Sequence, residues 1–268
     1  MKIAILSDVH GNKFALEAVL EDIQKEKVDH IILLGDLVTD LPNDTNSVLN
    51  TVKLVGNTVI KGNREYLFLN NLEPIDYDQF KTTHLTSKII TEENHNYLNS
   101  LPEQVSLFYD SKFSIRCVHG SPQNISEPIK QDDQDKILYH LNKIEENVLI
   151  CGHSHKQWYK EVRNKIIINP GSVGINFSGD QTANYALLKK ESTKIITELK
   201  RITYNFLEFK NNYDLDIPWI RLIIKGMEEG TEHTMKFLTE VKSRTNNWPI
   251  PDNIWNSLFK EWCKKGIL

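Results

Sequence analysis

Five times along this chain a short apolar run stops at a side chain that can hold a metal ion, and that recurrence restricts the fold more than any other feature. Lys2 to Ser7 runs into Asp8-Val9-His10-Gly11-Asn12, and His30 to Leu34 runs into Gly35-Asp36. Thr58 to Lys61 runs into Gly62-Asn63-Arg64, Phe113 to Val118 into His119, and Val148 to Cys151 into Gly152-His153-Ser154-His155. Runs of this length read as strands, and strands that end in polar chemistry predict one sheet edge where ligands collect. Asp8 and His10 are two residues apart, which on an extended segment turns both side chains towards one ion. His153 and His155 have the same spacing, roughly 6 to 7 Å along a strand, which suits two ligands reaching different ions of a close pair.

Seven candidate ligands result: Asp8, His10, Asp36, Asn63, His119, His153 and His155. They are too many for one tetrahedral ion and suit two, with Asp36 as the natural bridge because a carboxylate has two oxygens to share. A close ion pair serves in-line attack at phosphorus, where it acidifies a water and neutralises the phosphate and leaving oxygens.

The order of elements predicts the rest of the fold. Leu16, Val19, Leu20 and Ile23 make a helical stripe after the first strand, with Asn12 as candidate N-cap. The positive end of that helix faces the ligand loop, so Asn12 is also a candidate contact for an anionic substrate. A second stripe, Val48, Leu49, Val52 and Val55, gives the order βαβα, and so a parallel sheet with right-handed crossovers. Gln104 to Tyr109 and Phe113 to Val118 predict a hairpin around an Asp110-Ser111 turn. Further strands around Asn169-Pro170-Gly171-Ser172, with Tyr185 to Lys189 and Lys194 to Lys200, predict a second, largely antiparallel sheet. The expected fold is an α/β protein, a two-sheet β-sandwich flanked by helices.

This core is expected over residues 1–204, with a helical extension over 205–268 packed on the same domain. In its last segment Trp255, Leu258, Phe259 and Trp262 share a face, and a helical cap on one sheet face is favoured over a lid or dimerisation element. His233 in this extension is expected to be solvated.

Composition excludes several function classes. A formal charge of −4 argues against a large cationic surface for extended nucleic acid. No apolar run approaches a membrane span, and the N-terminal residues lack a secretory pattern, so a cytoplasmic location and no membrane partner are expected. Cys117, Cys151 and Cys263 have no metal-type spacing and are expected to pack rather than cross-link.

The motif set closely resembles that of the calcineurin-like metallophosphoesterases: Asp-x-His, Gly-Asp, Gly-Asn, His and Gly-His-x-His stand in order as Asp8-Val9-His10, Gly35-Asp36, Gly62-Asn63, His119 and Gly152-His153-Ser154-His155. The resemblance covers residues 1 to about 200. It implies a fold of two sheets flanked by helices, with Asp8, His10 and His155 on one ion, Asn63, His119 and His153 on the other, and Asp36 bridging. Two departures sharpen it. The longer signature of the protein Ser/Thr phosphatases is absent, because Asp40 is followed by Leu41-Pro42. Where many members read Gly-Asn-His, with the His aiding the leaving group, this chain has Arg64. The opening motif and Asn169-Pro170-Gly171-Ser172 resemble small bacterial phosphodiesterases. The helical tail resembles a longer subgroup that includes diadenosine polyphosphate hydrolases.

The resemblance implies a phosphoesterase with two divalent ions, Mn²⁺ foremost and Fe or Zn as replacements. Its substrate would be a small phosphodiester, phosphomonoester or phosphoanhydride, nucleotide-derived. Two other uses stay open, a nuclease and a protein-binding scaffold like the retromer member of the fold, and homo-oligomerisation is left open as well. Among the candidate catalytic residues Asp36, Asn63 and Arg64, the arginine cannot deliver a proton but can bind phosphate oxygens, which would favour good leaving groups.

Overall fold

The computed structural model describes residues 1–110, 113–192 and 194–268. In the first sheet, β1 (Lys2–Leu6), β2 (His30–Leu33), β3 (Thr58–Val59), β9 (Thr182–Lys190) and β10 (Ile195–Thr203) lie in the order β10-β9-β1-β2-β3. In the second, β4 (Gln104–Asp110), β5 (Phe113–Val118), β6 (Val148–Ile150), β7 (Gln157–Val162) and β8 (Lys165–Pro170) lie in the order β4-β5-β6-β8-β7.

The two-residue side-chain period of a strand sorts these residues into layers. Ile3 and Ile5 of β1 face the second sheet, where Phe113, Ile115, Cys117 and Ile150 meet them. Ala4 and Leu6 face outwards onto Leu16 and Val19 of α1 (Lys13–Glu26) and Leu49 and Val52 of α2 (Thr45–Val55). The outer face of the second sheet, with Leu149 and Ile167, is covered by Ile137 and Leu141 of α6 (Gln134–Asn142). The layers therefore run helix, sheet, sheet, helix, the sandwich that the sequence predicts.

Two details of the sheets differ from expectation. The segments 185–189 and 194–200 belong to β9 and β10 of the first sheet, where Ile5 of β1 pairs with Ala186. β9 is apolar on both faces: Tyr185 and Leu187 pack towards α1, and Ala186 and Leu188 pack into the sandwich. A strand of that kind belongs inside a sheet, beside β1. The second sheet is mixed rather than largely antiparallel, because β6 pairs in parallel with both β5 and β8. The β4–β5 hairpin pairing is present, while Ser111 of the expected turn lies outside the described residues.

Residues 63–100 add α3 (Asn63–Leu69), α4 (Lys81–Ile89) and α5 (Glu92–Ser100). The C-terminal segment forms α7 (Phe206–Asn211), α8 (Pro218–Glu229), α9 (His233–Arg244) and α10 (Asp252–Lys264). It does not cap a sheet face, since both outer faces already carry helices. Phe206, Phe209, Ile220, Ile223 and Ile224 instead gather on Phe14, Leu41, Ile175 and Phe177, beside the edge where the ligand loops emerge. Trp255, Leu258 and Trp262 pack with Phe237 and Val241 in a core of the tail's own, while Phe259 is only partly buried. His233 is buried rather than solvated, its Nε2 2.7 Å from Glu229. Among the described residues no helix is long and apolar enough to cross a membrane.

Candidate metal centre

β1 and β2 run parallel in one sheet, and β5 and β6 run parallel in the other, so their carboxyl ends deliver four loops to one edge of the sandwich. Backbone bonds then lace the loops together. The N–H groups of Asp8 and His10 donate to the carbonyls of Gly35 (3.0 Å) and Asp36 (2.8 Å), and that of Gly152 donates to His119 (2.7 Å). Across the sheets, His153 N–H donates to Asp8 Oδ2 at 3.1 Å. This crossing leaves no room at Gly152, where an added Cβ would stand 2.0 Å from Ser7 Oγ. The Asn169-Pro170-Gly171-Ser172 stretch anchors the same loops: Asn169 Nδ2 donates to Gly152 O (2.7 Å) and Ser172 Oγ to Asp8 O (2.8 Å).

Five of the seven candidate ligand residues are not extended. Asp8, His10, Asp36, His153 and His155 all have positive φ, between 50° and 63°. This left-handed conformation costs a non-glycine residue roughly 1–2 kcal/mol. Five of them in one cluster is the kind of strain that persists at functional sites because the surroundings over-determine it. The extended-strand geometry expected for both two-apart pairs is therefore replaced by left-handed turns. Even so, His153 and His155 separate into different groups, as their spacing suggests.

Two clusters of potential ligand atoms result, Asp8, His10 and His155 in one and Asp36, His119 and His153 in the other. Asn63 joins the second, with Oδ1 2.9 Å from His119 Nε2. Asp36 Oδ2 lies between them, 3.3 Å from His119 Nε2 and 3.8 Å from His10 Nε2.

The donor chemistry fits cations. Three imidazoles use Nδ1 outwards: His10 on Asp40 Oδ2 (2.8 Å), His119 on the carbonyl of Leu34 (2.7 Å) and His155 on the carbonyl of Ile175 (2.7 Å). Each ring then presents Nε2 inwards, the arrangement of a metal ligand steadied from behind. Nε2 of His10 and Nε2 of His155 face each other at 3.1 Å, and Asp8 Oδ1 is buried with no hydrogen-bond partner among the described residues. Neutral rings in that arrangement point two lone pairs at each other, which a shared cation relieves.

Electrostatics says the same. Burial opposes a charged ring at His10, yet the hydrogen bond to Asp40 and the nearby Asp8 carboxylate push its pKa up to about 10. Against the same burial, Asp36 and Asp8 push His119 up to about 9. Burial and the neighbouring His119 push His153 down to about 4. Burial would raise Asp8 and Asp36, but the surrounding histidines, His155 first for Asp8 and His119 first for Asp36, hold both carboxyls below the usual range. The pocket is built to hold positive charge.

Two predicted substrate contacts fare differently. Arg64 does reach the site, bonded through Nη2 to Asp40 (2.8 Å) and through Nη1 to Glu73 (3.2 Å), with its side chain about a quarter exposed. Asn12 does not. It is fully buried, its Oδ1 caps α1 at Ala15 N–H (3.0 Å), and its Nδ2 donates to Gly174 O (2.9 Å) and Tyr204 Oη (3.3 Å). Both ends of the carboxamide are used inside the protein, so Asn12 is a helix cap and not a substrate contact.

Other residues of the site carry no sequence motif. Asp40 fixes His10, as above. Glu65, fully buried, accepts the N–H groups of Asp36 and Gly62 at Oε2 (both 2.8 Å) and of Leu37 at Oε1 (2.7 Å), joining two ligand loops. Glu65 stands three residues after Gly62, the capping-box spacing that marks a helix start. Trp219 and Ile223 from the tail, with Phe177, line a cavity of about 840 Å³ over the ligands. Phe177 is stacked on His155 with ring centroids 5.9 Å apart.

A sequence model described as the calcineurin-like phosphoesterase superfamily domain matches residues 1–193. An uncharacterized protein of Methanocaldococcus jannaschii, MJ0912, is 29% identical over 223 residues, 76% of this chain and 88% of that one. Phosphodiesterase MJ0936 of the same organism is 28% identical over 201 residues, 74% of this chain and the whole of its own. Among solved structures, a metallophosphoesterase from Sphaerobacter thermophilus superposes with a TM-score of 0.71 at 25% identity, over 86% of this chain and 99% of its own.

Proposed function

The chain belongs to the calcineurin-like phosphoesterase superfamily and is a metal-dependent phosphoric ester hydrolase, and we propose that it holds two divalent ions and hydrolyses a small, nucleotide-derived phosphodiester, phosphomonoester or phosphoanhydride of the cytoplasm. The observation that carries this reading is the pair of ligand clusters meeting at Asp36 Oδ2. Asp8, His10 and His155 would hold one ion, Asn63, His119 and His153 the other, with Asp36 shared. The mixed carboxylate, imidazole and amide set suits Mn²⁺, with Fe or Zn as replacements. Bound ions supply Lewis acidity that neutralises phosphate oxygens and acidifies a water.

The chain's own residues do the positioning. Asp40 and the carbonyls of Leu34 and Ile175 hold three rings with Nε2 inwards. The N–H of Arg64 donates to Asp36 Oδ1 at 2.8 Å, which leaves Oδ2 turned to the two clusters. The Arg64 guanidinium uses two of its five N–H groups on Asp40 and Glu73, so it offers a fixed positive charge and free donors on the cavity side. It stays protonated and cannot serve as general acid, because Asp40, Glu73 and Asp36 raise its pKa above its ordinary value despite burial. Good leaving groups are favoured for that reason. The apolar and aromatic wall of Phe177, Trp219 and Ile223 suits a flat organic group beside the phosphate, as in a nucleotide or a dinucleoside polyphosphate.

Metal analysis and a turnover panel of nucleotides, dinucleoside polyphosphates and aryl phosphates on Mn²⁺-reconstituted protein test this reading. We expect two ions per chain, and phosphoanhydrides and aryl esters turned over faster than alkyl phosphates. Asp36→Asn should lower both metal content and turnover, and Arg64→Ala should slow the phosphoanhydrides most. Full metal content and turnover in Asp36→Asn would refute the bridge. Two bound ions with no turnover of any phosphoester would refute catalysis in favour of a binding role.

A further inference from the structure

We infer that Trp219, in the C-terminal tail, is a positioning residue for the ligand ring of His10 and acts through Asp40. The inference rests on the metal reading above and concerns a part of the chain beyond the matched residues 1–193. Asp40 is 3% exposed and has three partners on two oxygens. Oδ2 lies 2.8 Å from His10 Nδ1, while Oδ1 accepts Trp219 Nε1–H at 2.6 Å and Arg64 Nη2–H at 2.8 Å. A carboxylate with one partner can rotate about its last bond and exchange its oxygens. Donors from α8 and α3 on the same oxygen hold it in one orientation, and that orientation fixes the His10 ring.

The ring's other nitrogen is the one that matters to the metal. Nε2 of His10 lies 3.7 Å from Asp8 Oδ1, inside the first cluster. A carboxylate on Nδ1 selects the tautomer with the lone pair on Nε2 and keeps it aimed. In the other cluster the ring of His119 is held from behind by the carbonyl of Leu34 instead. The indole is itself oriented: it stacks on Trp255 with centroids 6.3 Å apart and lies under the Arg64 guanidinium at 5.8 Å. Trp255 meets Phe237 edge-on at 4.9 Å within the tail's core. The aromatic core of the tail therefore sets the angle of one metal ligand, and its influence falls on one ion of the two.

Trp219→Phe keeps a ring in the wall and removes the N–H. Direct titration of metal-free full-length protein with Mn²⁺, read by calorimetry or electron paramagnetic resonance, should show one ion bound roughly ten- to a hundredfold more weakly and the other unchanged. Asp40→Asn, which presents an amide to His10, should weaken the same ion at least as much. The double variant should bind it no more weakly than Asp40→Asn alone, because both changes lie on one path. Should Trp219→Phe not fold, the selective loss in Asp40→Asn, with Trp219→Tyr in the double variant, carries the same decision. Unchanged affinities, equal weakening of both ions, or additive losses in the double variant would each overturn the inference. Wild-type protein that binds no ion would instead refute the metal reading beneath it.

Discussion

Glu65 shows how little of a site's construction lies in its ligands. Its carboxylate accepts four backbone N–H groups, those of Asp36, Gly62, Leu37 and Val38 (3.3 Å for the last), and so fixes two ligand loops against each other. Each buried donor left without an acceptor costs about 1–3 kcal/mol. Glu65→Ala should therefore cost several kcal/mol, and Glu65→Gln, which turns an NH₂ towards some of these donors, about 2–4 kcal/mol. Urea denaturation of metal-free protein measures both, and an unchanged midpoint would refute the role. The seven candidate ligands were legible in the sequence because their residue types recur at the ends of apolar runs. Asp40 and Trp219 were not, since their roles come from contacts made in space: 179 residues separate Trp219 from Asp40. Nor was the left-handed backbone at Asp8, His10, Asp36, His153 and His155. Hydrophobic period reports where a strand runs and carries no information on how the chain leaves it.

Elements were legible to the extent that their side-chain period was. The helices α1 and α2 and the alternation in β1 follow from it, whereas the partner of a strand depends on which faces it buries, which is why the period alone does not assign β9 and β10 to the first sheet. Cys117, in the inter-sheet core, and Cys151, against α6, are fully buried with their thiol pKa values raised by that burial, Cys151 to about 12. Cys117→Ala and Cys151→Ala should each cost about 1–2 kcal/mol and leave metal stoichiometry unchanged, so loss of an ion in either would make the thiol a ligand. Gly152→Ala should do the opposite, reducing metal content, because its methyl group would collide with Ser7 and separate the β1 loop from the β6 loop. The end of α1 is tied to the first sheet by Glu26, which Lys200 and Lys2 bind at 2.7 and 2.9 Å and hold at a pKa of about 2. A lowered carboxyl pKa stabilises the folded state above its unfolded value of about 4.5 and loses that contribution as pH falls towards 2. The pairs are part-exposed, so less than about 1 kcal/mol is at stake. Glu26→Gln should flatten this acid limb in urea midpoints taken from pH 5 to pH 2; an unchanged slope would show that the ion pairs contribute nothing.

At the scale of the whole molecule, the packing of α7 and α8 on residues of the sandwich leads us to propose that tail and sandwich unfold as one body. Removing residues 205–268 would uncover Phe14, Leu41, Ile175 and Phe177, which α7 and α8 now cover. We expect the truncated chain to aggregate, and a soluble truncated protein with the full-length melting temperature would make the tail a separate unit. Chelation should also lower the melting temperature by several degrees and make it depend on Mn²⁺ concentration, since ions that bind only the folded state stabilise it by mass action. β1 lies between β2 and β9, and the carbonyl of Asp8 receives the N–H of Gly174. A ribosome adding about 5–20 residues per second takes about 10–40 s to travel from β1 to β9. For all that time the first strand has an open, apolar edge, and the loop bearing Asp8 and His10 lacks the segment that holds it. We therefore expect the nascent chain to be most prone to aggregate before its last sheet strands emerge, and the candidate ligand set to be complete only after synthesis has passed them.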